Sequence, residues 1–122
     1  MIPSLTALLQ GYAFFTRANG LEPGHDKARL AEALQEAAEL AAEDPADEPA
    51  ALLFALTRRP RALVEGWDYP VICATNLARM RGDALVIGEQ IDLDTLRLRV
   101  VMGTASFEEV RAWVSAHVRP RT

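Results

Sequence analysis

The chain has 122 residues, half of them apolar and a quarter charged, with a formal net charge of -4 at neutral pH and a pI near 5.1. That length suits one domain spanning residues 1–122 with a genuine core, and is too short for two. The acidic balance lacks the basic footprint of a general nucleic-acid binder, so no nucleic-acid partner is expected. Cys73 is the single cysteine and cannot form an internal disulfide, so nothing calls for an oxidising compartment. The N-terminus carries no basic start followed by an apolar run, so no secretion signal is read. The longest apolar run, Ala50 to Leu56, is far short of a membrane span, and a cytoplasmic protein with no membrane partner is expected.

Helix signals dominate along the chain. Ser4 is placed to cap a first helix in which Leu5, Leu8, Leu9, Tyr12 and Phe15 recur on one face, ending at Asn19-Gly20. Glu22-Pro23-Gly24-His25 reads as a turn, because proline presets its own backbone angle and glycine accepts a positive one. Asp26 caps a second helix with Leu30, Leu34, Ala37 and Ala41 as its buried stripe and Glu32, Glu36, Glu39 and Glu43 on the wet side. Residues 43–47 form a break, with Asp47 expected to cap the next helix. Ala50 through Leu56 is apolar on every face, which predicts a central, surrounded helix. After a loop from Arg58 to Asp68, Pro70 suits the first turn of a helix running to about Arg81, with Gly82 as its stop. Ala84 to Ile87 reads as a short extended piece. Residues 92–103 are ambiguous: Leu96-Arg97-Leu98-Arg99-Val100 alternates like a strand, whereas Leu93, Leu96 and Val100 fit a helix capped by Asp92. Ser106 and Glu109 form a capping box before a last helix carrying Val110, Trp113, Val114 and Val118.

The loop between the two apolar helices reads Arg61-Ala62-Leu63-Val64-Glu65-Gly66-Trp67-Asp68-Tyr69. It resembles the catalytic loop of the Fic/Doc (Fido) family, in the Doc-like (death-on-curing-like) branch. That loop runs histidine, x, phenylalanine, x, an acidic residue, glycine or alanine, asparagine, two variable residues or a lysine, then arginine. Laid on without gaps, Glu65 and Gly66 match the acidic-glycine pair and Leu63 takes the phenylalanine position. Arg61 stands at the histidine, Trp67 at the asparagine, Asp68 at the lysine of the Doc-like form and Tyr69 at the arginine. A register that puts Pro60 under the proline often following the histidine leaves Arg59 in the base position instead.

The likeness extends in order along the chain. Gly20 to Asp26 followed by Leu30-Ala31-Glu32-Ala33-Leu34 is similar to the family's N-terminal signature. Ala51 to Leu56 and Leu77 to Gly82 resemble the helices entering and leaving the loop, and Val100 to Ser106 resembles the late helix and the break after it. The resemblance implies an all-α, compact, Fido-like bundle of about six helices, and it settles residues 92–103 towards helix.

Intact relatives transfer an adenylyl or phosphoryl group to a protein hydroxyl, Doc-like ones onto a translation elongation factor. Such transfer needs a histidine as general base, an acidic residue holding magnesium, and backbone N–H groups backed by a cation around the phosphates. Glu65 retains the metal-holding type and Gly66 the close backbone approach, so a magnesium nucleotide is the one cofactor the loop still suits; otherwise none is expected. Arginine stays protonated, with a pKa above ~12, and is no base at neutral pH. Asp68 brings like charge to the phosphate position, a repulsion of roughly 4 kcal/mol at about 4 Å and an effective dielectric near 20.

Two functional readings follow. In the first, the chain is a catalytically degenerate binding or regulatory module of toxin–antitoxin ancestry. Its protein partner is then an antitoxin-like helix or a regulator seated in a groove by the loop. In the second, it is a phosphoryl- or nucleotidyl-transferase with a non-standard site, Glu65 holding metal and Arg61 the phosphates. Arg58, Arg59 and Arg61 either attract an anion or simply end a helix favourably. Trp67 and Tyr69 are either exposed interface anchors or, for Trp67, a plug folded over the vacated pocket. His25 and His117 read as ordinary polar residues and Cys73 as a small buried hydrophobe. Thr75 and Asn76 offer polar contacts to a groove or to water.

Overall fold

The computed structural model describes residues 1–120. Helices α1 (Leu5–Ala18), α2 (Lys27–Leu40), α3 (Glu48–Thr57), α4 (Tyr69–Met80), α5 (Gln90–Val101) and α6 (Phe107–His117) make an all-α domain. Strands β1 (Asp83–Leu85) and β2 (Val118–Pro120) form one small antiparallel ribbon, pairing Ala84 with Arg119 and Leu85 with Val118.

The start signals act largely as their chemistry requires. Ser4 Oγ accepts from the Ala7 N–H at 3.1 Å, Asp26 Oδ1 from Arg29 at 3.2 Å and Ser106 Oγ from Glu109 at 3.3 Å. Glu109 does not close its half of the capping box; its carboxylate reaches Arg99 at 2.8 Å instead. Asp47 is not a side-chain cap, because its backbone is already helical there. Asp44, with extended backbone, caps a short 3-10 turn at Pro45–Asp47 by accepting from the Ala46 N–H at 3.0 Å. Residues 90–101 are helical, and their N-cap is Glu89 rather than Asp92, which lies in the first turn. Val118 leaves the last helix to pair with β1, since the extended piece at Ala84–Leu85 offers edge N–H and C=O groups that a further helical turn would leave open.

Helix α3 is the axis of the fold. Ala51, Leu52, Ala55 and Leu56 face a core shared with α1, α2 and α4, while Ala50 and Leu53 face a second core shared with α4, α5 and α6. A helix packed on both sides has no wet face, which is why its sequence is apolar all round. Gly82 ends α4 with a φ of +82°, a backbone conformation that costs glycine nothing sterically.

Cys73 lies on the inner face of α4, 8% exposed. Burial pushes its thiol up to about 12, partly offset by a hydrogen bond with Tyr69. A group whose folded pKa exceeds its unfolded value stabilises the fold fully below the unfolded value and ceases to as pH rises through the folded one. The Cys73 contribution is therefore complete below about pH 9 and fades between there and about 12. Native protein at pH 8 is expected to resist a thiol reagent until denaturant unfolds it; rapid labelling in native buffer contradicts this packing.

Candidate functional site

The loop of residues 58–68 begins where Pro60 prevents α3 from continuing and ends at the first turn of α4. Backbone pairing straps it to the α1–α2 turn. The Asp26 N–H donates to the Ala62 carbonyl and the Val64 N–H to the Gly24 carbonyl, both at 2.8 Å, forming an isolated antiparallel bridge between His25 and Leu63. Tyr12, 1% exposed, adds a second tie: its hydroxyl donates to the Gly24 carbonyl at 3.1 Å and accepts from the Glu65 N–H at 3.2 Å. Leu63 is buried beneath the loop, and Gly66 passes so close to it that a Cβ there would lie well inside van der Waals contact.

On the far side the loop is fastened by a residue of α5. Arg97 is 2% exposed and is the one charged side chain among the buried residues described. Its Nε donates to Thr57 Oγ1 at 3.3 Å, its Nη2 donates to the Trp67 carbonyl, and its guanidinium lies 4.0 Å from the centre of the Trp67 ring. Burial lowers the Arg97 pKa to about 10, against the raising effect of Asp68 and Asp94, so it remains a cation at neutral pH. A buried charge is tolerated only when its protons find acceptors, and here the acceptors are the end of α3 and the loop itself.

The neighbouring arginines are largely committed. Both oxygens of Glu36 on α2 are engaged, Oε2 by Arg58 at 2.7 Å and Oε1 by Arg59 at 2.8 Å; Arg59 also donates to the Ala55 carbonyl at 3.0 Å. Arg61 is exposed and has no ion pair among the described residues. It borders an open basin of about 540 Å³ with Arg29, Glu32, Arg58 and Arg59. Between α3, the loop and α5 lies a cleft of about 120 Å³ lined by Thr57, Arg59, Leu63, Gly66, Trp67 and Arg97 among others. That is small beside the roughly 300–1,000 Å³ of ordinary ligand pockets. A shallower groove of about 310 Å³ on the other side of Trp67 is lined by Phe15, Leu21, Val64, Glu65 and Asp68.

The structure thus brings the loop residues together and gives them different parts. Leu63 and Gly66 are packing elements, Glu65 and Asp68 are exposed acids, and Arg61 is a solvent-facing cation. Trp67 is 39% exposed, folded back over Arg97. Tyr69 is not the exposed anchor that its place beside a turn suggests. It is 6% exposed, donates to the Leu8 carbonyl at 3.1 Å and packs its ring against Tyr12 and Phe15 at 5.5 and 5.4 Å. At the first position of α4 its side chain points back over α1 rather than out with the loop.

His25 abuts the loop through its backbone bridge, but its ring is exposed with Nδ1 3.2 Å from the Pro23 carbonyl. His117 stacks on Trp113 at 3.9 Å, on the last helix. Thr75 donates back to the Val71 carbonyl at 2.8 Å, and Asn76 lies at an apolar groove beside α1. Among the described residues no set of three or more His, Cys, Asp or Glu side chains is arranged to hold a metal ion. No family model, curated protein or solved structure matches the chain.

Two residues central to the site were missed from sequence, Arg97 and Tyr12. Arg97 sits next to Leu96 and falls within the helical stripe of Leu93, Leu96 and Val100, so helical periodicity alone would have flagged a cation on an inner face. Tyr12 was legible as a core position, but nothing local announced that its hydroxyl would bridge two loops.

The close approach of Gly66 to Leu63 gives a direct check. Gly66→Ala is expected to lower stability by about 1–3 kcal/mol through overpacking, whereas Gly88→Ala, with open space around it, should fall within about 0.5 kcal/mol of the parent. Equal urea midpoints for the two variants would contradict the described loop.

Proposed function

We propose that this chain is a helical protein-binding module of Fic/Doc-like ancestry that no longer carries out group transfer. The loop-to-helix arrangement supports this reading: a loop with the acidic-glycine pair Glu65-Gly66 joins two apolar helices and leads directly into the α4 N-terminus. The observation that carries it is the Trp67–Arg97 stack. The tryptophan occupies the position that the resemblance assigns to a small asparagine, and the residual cleft of about 120 Å³ beneath is too small for a nucleotide.

Loss of transfer follows from the residue types. Proton abstraction from a hydroxyl needs a base near neutral pKa, and Arg61 or Arg59 supplies a permanent cation in either register. Phosphate binding at the α4 N-terminus would meet Asp68, whose charge opposes an anion there. What the loop retains is a surface of Val64, Trp67, Glu65 and Asp68 beside Phe15 and Leu21, which combines apolar and acidic side chains. A protein segment with an apolar face and basic flanks is the partner of matching chemistry, an antitoxin-like helix or a regulator in the terms of the resemblance.

Calorimetric titration with magnesium and each of the four nucleoside triphosphates should give no heat up to about 1 mM ligand, where a Kd of that order corresponds to about -4 kcal/mol. Micromolar binding that disappears in Arg61→Ala or Glu65→Ala would sink the proposal and make the transferase reading the better one.

A further inference from the structure

Helix α5 is apolar on two opposite faces, and only one of them is used inside the domain. Leu93, Leu96, Arg97 and Val100 point into the core. Ile91, Leu98 and Met102 stand on the opposite side at 69%, 53% and 74% exposure, with exposed Thr95 completing the line and Val101 (38%) beside it. The positions 91, 95, 98 and 102 follow a four-three-four spacing, the repeat by which one helix seats its side chains between those of another. A monomer gains nothing from water-exposed isoleucine, leucine and methionine in a single line, whereas scattered ones need no explanation.

We propose that this face pairs with the same face of a second copy of the chain, the two α5 helices running antiparallel about a two-fold axis. The pattern is its own complement. Ile91 and Met102 are equidistant from the middle of the line, as are Thr95 and Leu98, so the two-fold places Ile91 on Met102 of the other copy and Leu98 on its Thr95. The flanking charges are complementary in the same arrangement. Asp92 and Arg99 lie one heptad apart on the same flank, and antiparallel pairing sets the acid of each copy alongside the arginine of the other, twice per dimer. Arg99 is held by Glu109 at 2.8 Å and by the Thr104 carbonyl at 2.8 Å, with its side chain still 43% exposed. Parallel pairing would instead align the helix dipoles unfavourably. Because Arg97 points the opposite way, the pairing leaves the loop of residues 58–68 uncovered, and the inference stands apart from the function proposed for that loop.

The contact is one helix wide, below the ~1,200 Å² of a stable standard interface, so a concentration-dependent dimer is expected. Sedimentation of the full chain between about 10 µM and about 1 mM should show the mass rise from the monomer's 13.4 kDa towards twice that. Leu98→Glu should weaken association at least about tenfold, and Asp92→Arg should weaken it by several-fold. Phe14→Glu, at an exposed site on α1 (73%), should leave it unchanged. Circular dichroism checks that each variant keeps its helix content, and the outward position of all three residues makes loss of the fold easy to distinguish. A chain that stays monomeric throughout, or a dimer that persists in both Leu98→Glu and Asp92→Arg, would overturn the proposal.

Discussion

The organisation of this domain rests on the burial of one positive charge. Arg97 enters from α5 with 2% exposure and joins two distant parts of the chain: it meets the Thr57 hydroxyl at the end of α3, and both the carbonyl and the ring face of Trp67 in the loop. A guanidinium taken from water and left without acceptors would cost several kcal/mol. The loop conformation that presents the Trp67 carbonyl is therefore tied to the packing of α5 against α3. Asp68 and Asp94 help keep the group charged, so the constraint holds across the neutral pH range. On the opposite side, Tyr12 and the His25–Leu63 bridge hold the first half of the loop against the α1–α2 turn. The loop is thus fastened at both ends, without secondary structure of its own.

That fastening determines what the surface offers. Arg58 and Arg59 are drawn to Glu36, Tyr69 turns inward to α1, and Trp67 lies over Arg97. Among the described residues, the loop side chains without an ion pair that face solvent include Arg61, Val64, Glu65 and Asp68, with Trp67 partly exposed beside them. They are a cation, two acids and an apolar valine, the residue types on which the binding proposal rests. The mixture has one physical origin: the larger loop side chains pack on their own scaffold and leave only these facing water.

Much of the fold was legible in the residues. Caps at Ser4, Asp26 and Ser106, the all-apolar α3 and the Gly82 stop each encode local geometry in side-chain chemistry, and the structure keeps them. The start of α3 was placed correctly behind Asp47, but the helical backbone there leaves its side chain without a capping bond, and the extended Asp44 caps the 3-10 turn just before it. The second strand was invisible because Val118 also continues the apolar stripe of α6; pairing with a distant edge, not local preference, ends that helix. At the site, the acidic-glycine pair and the aromatic neighbours could be read directly. The inward turn of Tyr69 and the approach of Arg97 depend on helices that meet the loop only in three dimensions.

A double-mutant cycle between Arg97 and Trp67 measures the central contact most directly. Urea unfolding of the parent, Arg97→Met, Trp67→Ala and the double variant isolates their coupling from the separate costs of each change. A cation stacked on an indole away from water should give about 1–2 kcal/mol of coupling. Strict additivity, within about 0.3 kcal/mol, would mean that Trp67 and Arg97 do not hold one another and that the loop is closed by something else.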